Sequence, residues 1–222
     1  MVISFRQKKG DFNELEDIAS FLELNSTEIV IGKQTHSAEI EVITPTNKYK
    51  DFIGIDAYIT QERGICIAVK TADCTPVLLF DPVEKVIAAI HSGWRGTVQN
   101  ITGKTIAEMM EGFGVNPGDI IAAIGPCIGW HNYEVGKEVA EQFRGLFPQN
   151  SAVIIEASNP NEKSKLSVRH AIHQQLIDSG IKPENIEISE TCTFDNSTEF
   201  HSARRDGAQT GRMVNGIWMK RA

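Results

Sequence analysis

AYITQERGICIAVKTADCTPVLLFDPVEKVIAAIHSGWRG, residues 57–96, carries four short apolar runs within one continuous stretch, at 57–60, 65–69, 76–80 and 86–90. Each is rich in β-branched or aromatic residues and is bounded by Gly, Pro or Asp, the pattern of a strand between turns. The turns are too short to hold a crossover helix, so neighbouring strands must pair antiparallel, at least in part. A doubly wound parallel sheet is thereby excluded. Working outward, residues 28–31 and 39–43 upstream and 120–124 and 152–156 downstream read as further strands. Helical periodicity marks 12–24, 97–113 closed by Gly114, 135–146, and 166–179 closed by Gly180. The fold class is α/β with many strands and mixed sheets.

With 222 residues, 41% hydrophobic and 23% charged, the chain can bury a core without disulfides, and neither a repeat nor a linker divides it. One domain over 1–222 is expected. The longest apolar runs are too short to span a bilayer, and the N-terminus MVISFRQKKGDF lacks the order of a signal peptide, so a cytoplasmic protein without membrane attachment is expected. In a reducing compartment Cys66, Cys74, Cys127 and Cys192 are thiols, and the absence of any CxxC pair argues against a zinc ribbon or a thioredoxin-like couple. A net charge of −7 disfavours nucleic acid as a partner and suits a small polar substrate.

Three residues of the first half, His36 in KQTHSAEI, Cys74 in TADCTPVLL and His91 in AAIHSGWRGT, stand at expected strand ends or loops. Imidazole and thiolate are the side chains that hold zinc most readily, and three protein ligands leave a fourth position open. Taken singly, Cys74 reads as a small buried hydrophobe and the histidines as surface residues. Their small or turn-forming neighbours, Thr35, Ser37, Asp73, Thr75, Ser92 and Gly93, shift the balance towards a site. From Gly93 through Arg95 to Thr97 the chain enters the expected helix, where free N–H groups and Arg95 favour an anion. Arg204, Arg205 and Arg212 concentrate positive charge in an otherwise acidic chain, either as an anion site or as an ion-pair network through Asp206. His170 and His173 fit a solvated helix face; Cys66 reads as a core residue, Cys127 sits in a turn that could approach the site, and Cys192 is left structural.

The strings KQTHS, DAYIT, TADCTPVLL, HSGWRGT, AAIGPCIG, YEVG, CTF and RRDG with TGR, in this order, resemble the bacterial laccase-domain family, once described as multicopper polyphenol oxidases and now regarded as purine nucleoside phosphorylases. The resemblance covers nearly the whole chain. It implies a four-layer α/β/β/α sandwich like the catalytic domain of cytotoxic necrotizing factor toxins, and a metal set falling on His36, Cys74 and His91, with zinc the usual metal and copper an alternative. It implies phosphate-dependent cleavage of adenosine, inosine, guanosine and methylthioadenosine, with deamination of adenosine to inosine. Partners are then a purine nucleoside and phosphate, in a monomer or small homo-oligomer. The chain departs from the family pattern at Ser37, Ser92, His201 and Ala203, and at Ser167, where a carboxylate is frequent.

For deamination, Asp73 is the nearest candidate proton carrier; for phosphorolysis, Arg204, Arg205 or the turn from Gly93 to Thr97 could hold phosphate. Two other chemistries suit the same residues. Copper-dependent phenol oxidation fits a His₂Cys set, although six histidines without paired HxH strings are few for a multicopper cluster. A Cys/His amide hydrolase, with Cys74 as nucleophile and His91 as base, would connect to editing of cell-wall precursors.

Overall fold

The computed structural model describes residues 2–5, 16, 19–20, 24–155 and 163–221. The first half of the chain gives β1 (Val2–Phe5), β2 (Ile29–Val30), β3 (Ile40–Val42), β4 (Ala57–Thr60), β5 (Cys66–Thr71), β6 (Thr75–Asp81), β7 (Val86–Ser92), α1 (Trp94–Val98) and α2 (Ile101–Phe113). The second gives β8 (Ile121–Ile124), β9 (Glu134–Val135), α3 (Lys137–Leu146), β10 (Ile154–Ile155), β11 (Ser164–Leu166), α4 (Val168–Asp178), β12 (Ile186–Ile188), α5 (Ala203–Asp206) and β13 (Met213–Trp218). The described residues form three sheets: β12-β8-β6-β7-β4-β3, β1-β13-β5-β2, and the small β10-β11-β9. The first two are mixed: β6 pairs antiparallel with both β7 and β8, while β3 runs parallel to β4, β12 to β8 and β2 to β5.

Side-chain alternation along the quoted stretch builds the layers. Ala57, Ile59, Val77, Leu79, Val86, Ala88 and Ile90 point to one core, under α2, α3 and α4. Their neighbours Tyr58, Leu78, Ile87 and Ala89 point to a second, where Ile67, Val69 and Ile217 of the four-stranded sheet, and Ile65 just before it, meet them. Strands buried on both faces read as continuous apolar runs, which is why 76–80 and 86–90 look uniform in sequence. On the outer face of the four-stranded sheet, Ala19 packs with Ile29, Cys66, Ala68 and Trp218. Glu16, Ala19 and Ser20 are helical; the rest of the helix expected at 12–24, apart from Leu24, lies outside the described residues. No helix among the described residues is long and apolar enough to cross a membrane.

One expectation needs correction, and one strand was not foreseen. The helix expected at 97–113 is two helices, because Asn100 adopts a left-handed backbone (φ 57°) and its side chain accepts from the Gly103 N–H, starting α2 afresh. The C-terminal strand β13 does not stand out in sequence, since Asn215-Gly216 reads as a turn. In the fold Asn215 is buried and donates to Thr71 Oγ1 at 3.0 Å, and at Gly216 a Cβ would stand only 3.1 Å from Cys66 Sγ, so the close sheet packing requires glycine.

Candidate metal centre and cavity

Strand register brings the three sequence-selected residues together. In the β6–β7 hairpin Thr75 pairs with Ser92 and Pro76 with His91, so Cys74, just before β6, lies beside Gly93, just after β7. On the other side of β7, Ala57 pairs with Ile90, which sets Asp56 against His91; the His91 N–H donates to the Asp56 carbonyl at 2.8 Å. His36 arrives from the β2–β3 loop. The donor atoms of His36, Cys74 and His91 all lie within 4.8 Å of one another, and the two imidazole rings meet edge to face with centroids 4.9 Å apart.

Asp56 organises this cluster and is completely buried. Its carboxylate accepts from three consecutive backbone N–H groups, Thr35 at 3.1 Å, His36 at 3.0 Å and Ser37 at 2.9 Å, and from Ser37 Oγ at 2.8 Å. Wrapping successive amides around one anion needs a left-handed residue, and His36 supplies it with φ 63°. The same carboxylate holds His91 Nδ1 at 2.6 Å, which leaves Nε2 for Cys74 and the cavity. Glycine is required at 93: a Cβ there would sit 3.0 Å from both Cys74 Sγ and His36 Cδ2.

The charges reinforce one another. Burial opposes ionisation of Cys74, but the neighbouring imidazoles of His91 and His36 outweigh it and bring the thiol down to about 6. Burial likewise opposes the His91 imidazolium, yet the Cys74 sulfur and the Asp56 carboxylate raise it to about 9. Asp56 is pushed up by desolvation and pulled further down by His91 and the Ser37 and Thr35 amides, reaching about 2. A thiolate and two imidazoles, one fixed through a carboxylate behind it, are the donor set and outer support of a zinc site with an open position. Zinc ligands sit about 3.5 Å apart, so a set whose donors lie within 4.8 Å of one another reaches the metal with a contraction of about 1.3 Å at most.

The cluster opens into a cavity of about 910 Å³, at the upper end of small-ligand sites. Among the described residues Lys33, Lys50, Lys70, Arg95, Arg204 and Arg212 line it against two carboxylates, Asp51 and Asp73. Positive charge is thus focused at one opening of a protein whose net charge is −7. Arg95 lies over the Trp94 ring at 4.4 Å and Arg204 over the Tyr133 ring at 5.0 Å, each guanidinium braced by an aromatic face.

Three sequence expectations come out differently. Arg205 does not line the cavity: all five of its N–H donors are taken, by Asp206 twice and by the carbonyls of Thr193, Phe194 (both through Nη1) and Phe200. It ties the C-terminal segment to the body. Asp73 also anchors, accepting from Thr193 Oγ1 at 2.6 Å, Ser202 Oγ at 2.9 Å and the Arg204 N–H at 2.7 Å, so its carboxylate is committed to the segment that carries Arg204 rather than free to move protons. At Gly93, the N-cap of the five-residue α1, the need is close approach of the metal donors rather than an amide for an anion. His170 bonds Ser167 Oγ at 2.8 Å and Ser167 caps α4, so neither enters the centre. Sequence reasoning missed Asp56, Trp94, Tyr133 and the three lysines; the sign for Asp56 was an acid directly ahead of an apolar strand, inside the noted string DAYIT.

The sequence profile of the family described as "Multi-copper polyphenol oxidoreductase laccase" matches residues 12–220. The chain belongs to that family. Relatives within it carry purine names: a Bacteroides thetaiotaomicron "Purine nucleoside phosphorylase" is 36% identical over 86% of this chain and 73% of its own length. "Adenosine deaminase RL5", from an unknown prokaryotic organism, is 35% identical over 91% of this chain and 79% of its own. Solved family structures superpose closely, the Bacillus licheniformis hypothetical protein YfiH with a TM-score of 0.92 at 27% identity (98% and 92% of the two chains) and YlmD of Geobacillus stearothermophilus with 0.90 at 28% (99% and 92%).

Proposed function

We propose that this protein is a metal-dependent purine nucleoside enzyme that cleaves adenosine, inosine, guanosine and methylthioadenosine with phosphate to the free base and ribose 1-phosphate, and deaminates adenosine to inosine. The observation that carries the reading is the His36, Cys74 and His91 set in the wall of a cation-lined cavity of about 910 Å³, which has room for a nucleoside together with phosphate. The purine names of the 32–36% identical relatives supply the substrate class.

Zinc bound by the three side chains would supply a Lewis acid at its open position. Asp56 fixes His91 Nδ1, so the Nε2 lone pair is directed to the metal side and the ring cannot swing away. Arg95 and Arg204 offer forks for phosphate, whose oxygen forms the new bond to ribose C1′ as the bond from C1′ to the purine nitrogen breaks and that electron pair leaves with the base. Lys33, Lys50 and Lys70 add to the positive potential that draws phosphate in.

A second reading has its own support: Cys74, brought down to about 6 and backed by His91 and Asp56, has the parts of a cysteine nucleophile. A copper cluster has less, because the trio offers a single three-ligand centre. Incubating the purified zinc-loaded protein with adenosine, with and without phosphate, separates these. The proposal expects adenine and ribose 1-phosphate only with phosphate, and deamination in either case, read as inosine without phosphate and as inosine plus hypoxanthine with it; the absence of both activities would refute it.

A further inference from the structure

Cys192 takes no part in the centre at His36, Cys74 and His91, yet its sulfur is surrounded by groups arranged to hold something. Gly129 N–H donates to Cys192 Sγ at 3.1 Å and Asn132 Nδ2 lies 3.6 Å from it, the N–H···S contacts that steady a thiolate ligand. Beside it His131 Nε2 stands 2.7 Å from Asp195 Oδ2, and the other Asp195 oxygen accepts from Asn132 Nδ2 at 2.7 Å. The donor atoms of His131, Cys192 and Asp195 all fall within 4.8 Å of one another. Only glycine at 129 permits this: a Cβ there would meet His131 Cε1 at 2.6 Å and Cys192 Sγ at 3.2 Å.

We propose that His131, Cys192 and Asp195 form a second metal site, distinct from the first, that takes a zinc-class divalent cation. One thiolate, one imidazole and one carboxylate are a borderline-soft set suited to zinc and not to calcium or magnesium, which demand oxygen ligands. Cys192 is buried, while the side chains of His131 and Asp195 are each 47% exposed, so a cation enters from solvent and keeps an outer water-facing side. The Asn132 amide, bonded to the Asp195 carboxylate and close to the sulfur, orients two of the three ligands from behind.

The location gives the site a role. The turn Trp130–Asn132 leads directly into Tyr133 of the cavity wall, and Cys192 adjoins Thr193, whose hydroxyl donates to Asp73 beside Cys74. A cation joining His131 to Cys192 and Asp195 therefore clamps the segment that carries Tyr133 of the cavity wall to the one that holds Asp73 in place. It acts on the first centre by positioning, without touching substrate.

The test is a count of zinc bound per full-length chain after chelator stripping, by equilibrium dialysis and elemental analysis. Wild type is expected to hold two. A His131→Ala, Asp195→Asn double variant should hold one fewer while keeping the zinc that His91→Ala removes; both replaced side chains are half exposed, and single His131→Ala read the same way covers a double variant that fails to fold. A variant that binds as many zinc ions as wild type overturns the proposal, and does so without bearing on the first centre.

Discussion

Asp56→Asn removes the charge on which the centre is built while keeping its shape. Lowering of the Asp56 carboxyl from 3.8 to about 2 corresponds to roughly 2.5 kcal/mol of favourable interaction with the ionised form, at about 1.4 kcal/mol per unit. That interaction is present above the unfolded value and is lost as pH falls towards 2. An asparagine forfeits it at neutral pH and turns an NH₂ group towards at least two of the five donors, at about 1 kcal/mol more in all. The sum, about 3 to 4 kcal/mol, lowers the urea midpoint of the metal-free protein by about 1 to 2 M for a slope of about 2 to 3 kcal/mol/M. With His91 no longer oriented, zinc affinity should fall about 10- to 100-fold. Urea unfolding followed by fluorescence, with calorimetric titration of zinc into the folded variant, measures both. A folded Asp56→Asn protein that binds zinc like wild type, or a midpoint that moves by less than about 0.3 M, would refute the anchoring role.

In metal-free protein, alkylation of Cys74 by iodoacetamide should rise with pH through a midpoint near 6 instead of 9; the roughly 90-fold gain in thiolate at pH 7 outweighs a 15- to 30-fold loss in nucleophilicity, so a net acceleration of about 3- to 6-fold is expected. Zinc should abolish the reaction, and rapid alkylation of the zinc-loaded protein would favour the nucleophile reading. Gly93→Ala forces Cys74 Sγ and His36 apart, so zinc affinity should drop at least about 10-fold with a urea midpoint close to wild type; unaltered zinc binding would contradict the packing argument. Arg205→Ala strands three backbone carbonyls and should cost about 3 kcal/mol in urea unfolding, whereas Arg204→Ala should cost less than about 1 kcal/mol yet raise KM for phosphate, and the reverse pattern would exchange their roles.

Residues 57–96 were legible because short β-branched apolar runs and the turns that bound them are local properties. Strand lengths there nearly match the sequence expectation, and the hairpin register follows from them. His36, Cys74 and His91 were legible because soft donors at strand ends are few in this chain. Asp73 and Arg205 were not: their roles depend on partners at Thr193, Ser202 and Phe200, brought near only by the fold. The break at Asn100 and the strand through Asn215-Gly216 escaped for a related reason, since each rests on a tertiary or capping contact that overrides a local preference. Asp56 shows the limit most clearly. An acid before an apolar strand is visible, but its five donors gather from two separate segments.

His36, Cys74 and His91 are expected to hold one metal ion at the wall of the cavity. Anomalous diffraction from crystals grown with zinc, recorded on both sides of the zinc absorption edge, tests it most directly. An edge-dependent peak is expected within bonding distance of Cys74 Sγ and of one nitrogen from each histidine, absent from His91→Ala crystals. A zinc-saturated crystal with no peak among those three side chains would contradict it.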